Sequence, residues 1–303
     1  MLHSSTVTRP ISDREEIERR APAVAAAVRV HATAPILWSL VWRSVTQARY
    51  VLIGALALLA GLQLIIVGQA VSIESTQSFG RISELLPAFL TKGLGSKALL
   101  LATFKGSVAF GYFHPVVLLL SSLLAAYITT EAAHEVESRL VDLELARSVP
   151  RHLILTRSLV VSTVTVVTAA ILMAGGTELG LRLWSSPAFV PPSGAVRAQM
   201  LVHLVAVAVC FGAFGLALGA TARRWSTAFT TVAFTAIVLY LIDFLAIGWP
   251  LMRSFTWISP FHFYPALSII AGDAPPFRNL AVLTSATLVM SAVAYWQFGK
   301  RDL

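Results

Sequence analysis

The 303-residue chain is 56% hydrophobic and only 13% charged, with a mean hydropathy of +0.76, whereas an average soluble domain is about 25% charged. This composition excludes an ordinary soluble fold, because apolar stretches of membrane-spanning length recur from Tyr50 almost to the last residue. The net charge of +8 comes from Lys and Arg residues scattered between apolar runs. That distribution argues against nucleic-acid binding and is typical of basic residues at the ends of membrane spans, beside anionic lipid.

Six apolar runs predict an all-α integral membrane protein with six transmembrane helices. Each run is long enough for the roughly 20 residues that a spanning helix needs, and an even number of spans places both termini on one side. We expect a tail at residues 1–30 and one transmembrane domain at residues 31–303. The predicted spans cover residues 50–73, 108–130, 153–175, 199–221, 228–249 and 279–298.

The basic residues predict that both termini are cytosolic. Most of the 23 Lys and Arg residues fall on the side that holds the termini, including the pair Arg223-Arg224 in a very short loop, as the positive-inside bias requires. The stretch from Ser4 to Arg20 is polar and lacks the apolar core of a signal peptide, so we expect it to be a cytosolic tail. The Ala- and Arg-rich composition is typical of a bacterium with a GC-rich genome. We therefore expect the protein in a bacterial plasma membrane.

A short amphipathic segment precedes the first span. Leu37, Leu40 and Val41 recur at helical spacing in residues 35–43, and Trp38 and Trp42 lie four residues apart. This pattern predicts a helix lying in the membrane interface. The alternative is an N-terminal extension of the first span.

The segment between the fifth and sixth spans is rich in aromatic residues and is interrupted by Gly and Pro. Trp257, Phe261, Phe263 and Tyr264 predict an aromatic belt at headgroup depth. The alternative is that these rings line an exit gate.

The loop from Glu131 to Arg157 is highly charged and lies between two apolar spans. Its Leu and Val residues recur near helical spacing, its other positions are polar, and Pro150 ends the pattern. We interpret it as an amphipathic helix beneath the membrane, whose apolar side fits a partner's groove. The alternative is a solvated amphipathic loop.

Three segments resemble the type-2 ABC transporter permease family. The first is the charged loop, in which acidic residues precede a Leu-rich helix and then Pro150-Arg151. The second is the C-terminal Phe298-Gly-Lys-Arg-Asp-Leu303, and the third is Ile258-Ser-Pro-Phe-His-Phe-Tyr-Pro265 followed by Gly272. Ser138-Arg139 and Arg157 depart from the family pattern, where Gly-Thr and Lys are common.

The resemblance implies the membrane subunit of an ABC exporter, working by alternating access. Two copies of a separate ATP-binding subunit would hold ATP and Mg²⁺, so this chain binds no cofactor of its own. A second permease subunit, identical or different, would complete the cleft. The charged loop would be the coupling helix that contacts the ATPase through Glu135, Glu137, Arg139, Leu140, Asp142, Leu143, Glu144 and Arg147.

The sequence carries no catalytic motif. Gly93-Leu-Gly-Ser-Lys97 does not have P-loop spacing, and His134-Glu135 is not a zinc-protease motif because Ser138 stands where the second His is required. The single cysteine, Cys210, lies in an apolar run and builds no metal site. We therefore expect neither enzymatic activity nor a bound metal.

Two polar residues within apolar runs are candidates for a translocation path. Asp243 lies in the fifth run, where a charge is costly unless it faces a cavity or a partner; the alternative is that it is wet near the outer surface. His203 lies in the fourth run, and a hydrogen-bonded packing role is its alternative. Gly212, Gly215 and Gly219 predict close helix packing, within the chain or across a dimer.

Two other classes of protein are compatible with this pattern. One is a secondary transporter without an ATPase, although no internal repeat of the kind such proteins show is visible. The other is a membrane scaffold or assembly subunit that moves no substrate.

Overall fold

The computed structural model describes residues 11–76, 78, 97–138, 151–273 and 276–300, with nearly all side chains from residue 35 onward. Within these ranges every regular element is a helix, and short turns connect them. Two 3₁₀ turns, Thr256–Ile258 and Pro260–Phe263, follow the ninth helix. The α-helices are α1 Ile11–Ser75, α2 Ala98–Leu101, α3 Phe104–Phe113, α4 Pro115–Thr129, α5 Glu131–Glu137, α6 Arg151–Trp184, α7 Gly194–Thr221, α8 Trp225–Leu245, α9 Pro250–Arg253, α10 Ala266–Ala271 and α11 Phe277–Gly299.

Six helical segments are long and apolar enough to cross a membrane, which confirms the six predicted spans. With six such helices, the chain is a multi-pass membrane protein. Helices can cross the hydrocarbon because they satisfy their backbone hydrogen bonds internally. The largest difference from prediction is the first span, which begins at Pro35 rather than at residue 50, and the third span continues through Gly175-Gly176 to Trp184. The six segments are Pro35–Ser75, Phe104–Thr129, His152–Trp184, Gly194–Thr221, Trp225–Leu245 and Phe277–Gly299.

The amphipathic segment at residues 35–43 belongs to the continuous helix α1 rather than to a separate element. Leu40 is buried, and Val41 and Val45 pack against a cluster that contains Ile128 and Val161. Trp38 and Trp42 are exposed. The segment therefore extends the first span, and its position in the membrane interface stays a prediction.

The second span is broken at His114. Pro115 begins α4, and the backbone of His114 is extended (φ −55°, ψ 137°). A residue before proline is driven out of the helical region by the proline ring, so the helix stops and restarts there. The His114 side chain compensates by accepting a hydrogen bond from the backbone N–H of Val116 through Nδ1 (3.3 Å).

The first span begins and the last span ends at the same end of the bundle, which we call the Arg157 end. Phe298, near the finish of α11, packs with Ile154 and Leu155 at the start of α6. Ser44 of α1 lines a cavity together with Glu131. The opposite end, which we call the Asp273 end, contains the salt bridge of Asp273 to Lys97 (2.8 Å).

Helix α7 lies at the centre of the bundle, and its glycines face α4. A Cβ atom added at Gly215 would lie 2.6 Å from Thr129 Oγ1 and 3.2 Å from Ala126 Cα, and one at Gly219 would lie 3.3 Å from the Thr129 carbonyl oxygen. Gly212 faces Ala125 in the same way. These glycines let two helices of one chain approach closely, as small residues do in membranes.

The predicted aromatic belt is wrong for two of its four residues. Phe261 and Tyr264 are buried in the main hydrophobic cluster, and Phe261 packs against Phe211 of α7 with ring centroids 5.0 Å apart. The two 3₁₀ turns fold this segment back onto the bundle, so these rings contact helices instead of headgroups. Trp257 remains 68% exposed.

The close contact at Gly215 gives a test of this packing. We expect Gly215→Val to lower the melting temperature of the detergent-purified protein, since overpacking costs about 1–3 kcal/mol. Gly175→Val is the matched control, because a Cβ there would meet nothing within 4 Å. Equal melting temperatures for the two variants would contradict the α4–α7 contact.

Candidate functional site

The charged segment after the second span forms the short helix α5 at the Arg157 end. Two of the residues that the sequence predicts for coupling, Glu135 and Glu137, lie on this helix. The others lie outside the described residues, namely Arg139, Leu140, Asp142, Leu143, Glu144 and Arg147. The candidate site is therefore built from α5 and from the helix ends that contact it.

A buried ion pair joins α5 to the third span. Arg157 Nη1 donates to Glu135 Oε1 at 2.7 Å, and the two side chains are only 1% and 4% exposed. Glu131 Oε2 lies 3.7 Å from Arg157 Nη2 on the other side. One guanidinium therefore serves two carboxylates that are one helical turn apart.

Arg157 is the largest fully buried side chain of the described residues. Removing an arginine and a carboxylate from water costs several kcal/mol per ion, and only their close pairing offsets that cost. A buried pair of this kind tolerates no separation, because each charge would then lack compensation. The start of α6 is held to α5 for this reason.

Glu131 is less favourably placed than Glu135. Burial raises the pKa of the Glu131 carboxyl above its ordinary value, while the neighbouring Arg157 opposes the shift and the Glu135 carboxylate adds to it. Both carboxylates pair with the same guanidinium, at 2.7 Å for Glu135 and 3.7 Å for Glu131. Glu135 is thus the principal partner of Arg157.

Glu137 connects α5 to the fifth span. Its Oε2 accepts a hydrogen bond from the backbone N–H of Trp225, the first residue of α8, at 3.0 Å. The first N–H groups of a helix have no partner within that helix, and a carboxylate there also interacts favourably with the helix dipole. Glu137 therefore fixes the start of α8 against α5.

Aromatic rings surround this contact. Trp225 stacks on Phe229 (5.4 Å between centroids, 4° between planes) and meets the edge of Tyr127 at 5.8 Å. The His134 ring lies 6.4 Å from Trp225. Beside these rings is a cavity of about 170 Å³ lined by α1, α4, α5, α6 and α8 residues: Ser44, Gln47, Ala48, Tyr127, Ile128, Glu131, His134, Val161 and Trp225. The five helices that line this cavity thus form a junction at the Arg157 end.

A second polar network crosses the interior nearer the other end. Gln63 Nε2 of α1 donates to Thr177 Oγ1 (2.9 Å) and to the Val108 carbonyl (3.3 Å). The Tyr112 hydroxyl lies 2.6 Å from the Thr177 hydroxyl, and the Tyr264 hydroxyl donates to the Tyr112 carbonyl at 3.2 Å. These bonds join the first three spans and the segment after α9.

The two path candidates lie in different surroundings. Asp243 is near the end of α8, its side chain is 31% exposed, and its Oδ1 lies 3.5 Å from His262 Nδ1. This geometry favours the interpretation that Asp243 is wet near the membrane surface. His203 is buried, is 2.8 Å from the Gln199 carbonyl oxygen and stacks on Tyr264, which favours a packing role.

Sequence reasoning missed the importance of Arg157 and of Gln63. Arg157 falls inside the predicted third span, where a charge is expensive unless it is paired, and that position was the available signal. Gln63 interrupts the first apolar run in the same manner. Neither pattern identifies the partner, because Glu135 and Thr177 come from other helices.

The sequence matches no protein-family model and no curated protein. Among the described residues, no group of three or more His, Cys, Asp or Glu side chains is placed to hold a metal ion.

Removing one member of the buried pair gives a direct test. We expect Glu135→Gln or Arg157→Met to destabilise the protein strongly, because leaving a buried charge without its partner costs about 3–5 kcal/mol. The control is Arg182→Gln, which breaks the exposed pair with Glu178, and such pairs contribute only about 0–1 kcal/mol. Thermal melting in detergent measures the difference, and a small effect at Arg157 would refute the pairing.

Glu131 should behave in the opposite way to Glu135. Because its pKa is raised in the folded protein, its contribution to stability is present when it is protonated and is lost as pH rises from the ordinary carboxyl pKa through the raised one. We expect Glu131→Gln to raise the melting temperature at neutral pH, with the gain shrinking at acidic pH. A lower melting temperature at neutral pH would show that the Arg157 contact dominates at Glu131.

Proposed function

We propose that the chain is the membrane-spanning permease subunit of an ABC transporter, an exporter whose ATPase is a separate polypeptide. The observation that carries the proposal is the double anchoring of α5, by Glu135 to Arg157 of α6 and by Glu137 to the start of α8. Residues 139–150, which complete the predicted coupling segment, connect the two partners of the ion pair along the chain. A displacement of this segment is thereby passed to two spans.

In the proposed mechanism the ATPase subunits close on ATP and Mg²⁺ and push the coupling segments of two permease subunits. The buried ion pair prevents α5 from moving alone, because separating Arg157 from Glu135 is too costly in a dry interior. The displacement therefore reaches α6 and α8 as a rigid-body movement of spans. The cleft between two permease subunits then opens away from the ATPases.

The proposal orients the Arg157 end toward the cytosol of a bacterium, with both termini there. Arg223 and Arg224 lie in the short α7–α8 connection at this end, and Lys300 follows α11. Their charges support this orientation through the positive-inside bias. The ATPase would dock below α5, and catalysis of ATP hydrolysis would belong to that partner.

The proposed second permease subunit needs an apolar surface within the membrane. Helices α8 and α11 are the least buried spans of the chain, with Phe234, Leu241, Leu288 and Val289 among their exposed side chains. Lipid and a second subunit would share these faces. Whether that subunit is a second copy is decided by the mass of the purified complex.

The first test is a mild-detergent pull-down of the tagged chain, with mass spectrometry of partners and an ATPase assay. We expect an ATP-binding subunit to copurify, and Leu140→Asp with Leu143→Asp to remove it, because charges on an apolar docking face oppose burial in the partner's groove. Leu251→Asp is the matched control, since Leu251 is exposed on α9, far along the chain from the predicted coupling segment.

Each outcome distinguishes the classes of protein. An ATPase that is retained by the Leu140 and Leu143 variant would refute the coupling assignment. A chain that purifies without any ATPase, under conditions that preserve membrane complexes, would favour the secondary transporter or the scaffold.

A further inference from the structure

A second cavity, of about 390 Å³, lies between the first turn of α11 and the segment that follows α9. Its lining combines three polar side chains with apolar ones: Trp257, His262, Phe263, Arg278, Asn279 and Val282. None of these residues belongs to the junction at the Arg157 end. The cavity therefore stands apart from the proposed ATPase contact and needs its own explanation.

Arg278 gives this cavity a positive charge that no described carboxylate neutralises. Three other basic residues at this end do have carboxylate partners: Lys97 pairs with Asp273, and Arg182 and Arg197 both pair with Glu178. No described Asp or Glu lies within 4.0 Å of a nitrogen of Arg278. Its position in the first turn of α11 adds the positive end of the helix dipole.

The remaining polar groups suit an anionic ligand, as the charge of Arg278 does. Asn279 offers two amide N–H donors next to the guanidinium in the chain, and the His262 ring also lines the cavity. Asp243 contacts His262 at 3.5 Å but does not line the cavity. Guanidinium and amide donors together are the groups that bind phosphate in proteins.

The apolar part of the lining indicates that the ligand carries a hydrocarbon chain. Phe263 and Val282 line the cavity, Trp257 is 68% exposed, and Phe277, which precedes Arg278, is exposed as well. Exposed tryptophans are enriched at the membrane–water interface, where one part of the ring is apolar and another wet. Inorganic phosphate would leave this surface without a contact.

We propose that this cavity binds the headgroup of an anionic phospholipid, with Arg278 pairing to the phosphate, Asn279 donating to it, and the acyl chain running along Val282 and Trp257 into the membrane. The lipid would hold the segment after α9 against the start of α11. Lipid binding at this site requires no ATPase, so its test is independent of the proposed transport function.

The test is a lipid titration of the full chain in detergent, read by native mass spectrometry. Phosphatidylglycerol should bind more tightly than zwitterionic phosphatidylcholine. Arg278→Gln should weaken phosphatidylglycerol binding roughly tenfold, as expected for the loss of a charge-assisted contact, and Arg278→Lys should restore part of it. Arg182→Gln removes the same charge from a residue outside the cavity and should leave the affinity unchanged.

Three results would overturn the proposal. The first is wild-type affinity in Arg278→Gln, and the second is an equal loss in Arg182→Gln, which would indicate a diffuse effect of net charge. The third is displacement of the lipid by inorganic phosphate at matched concentrations, which would assign the site to a free anion. Melting temperatures of all variants separate a binding defect from misfolding, and Asn279→Ala supplies a milder second variant should Arg278→Gln fail to fold.

Discussion

Hydrocarbon offers no hydrogen-bond partner to a polypeptide, and this constraint governs the whole molecule. Each span must satisfy its backbone within a helix, so the helices can differ only in length, in interruptions and in the faces that they present. The break at His114-Pro115 illustrates the constraint, because the histidine side chain replaces one of the lost helix contacts by accepting from Val116. Packing between the helices then relies on small residues, as at Gly215 against α4.

The same constraint makes each interior polar group informative. A charge such as Arg157 persists in the interior only when it is paired, and its pairing with Glu135 of α5 ties a segment after the second span to the start of the third. Glu137 ties that segment to the fifth span through Trp225. The Arg157–Glu135 pair is buried and therefore forms a rigid connection, since no solvent replaces it, whereas the Glu137 contact is exposed. The proposed coupling to an ATPase depends on these connections.

The two ends of the bundle are built on different chemistry. At the Arg157 end, carboxylates outnumber the guanidinium that they share, and aromatic rings fill the space around Trp225. At the Asp273 end, Lys97, Arg182 and Arg197 are paired with carboxylates, while Arg278 lines an open cavity with apolar side chains. The first arrangement is suited to holding helices together, and the second to holding an anionic amphiphile. The proposed ATPase contact and the proposed lipid site therefore lie at opposite ends of the bundle.

The sequence by itself determined the all-helical class, the six spans and the approximate span limits, because apolar length is a local property that a membrane enforces directly. It also located the charged segment that contains Glu135 and Glu137. The tertiary structure alone decided which polar residues meet: Arg157 with Glu135, Gln63 with Thr177, and Arg278 with the cavity beside Trp257. The tertiary structure also buries Phe261 and Tyr264 in the core, although the sequence predicts them in an aromatic belt at headgroup depth. These pairings join residues on different helices, and hydropathy along the chain carries no information about which faces of two helices come together.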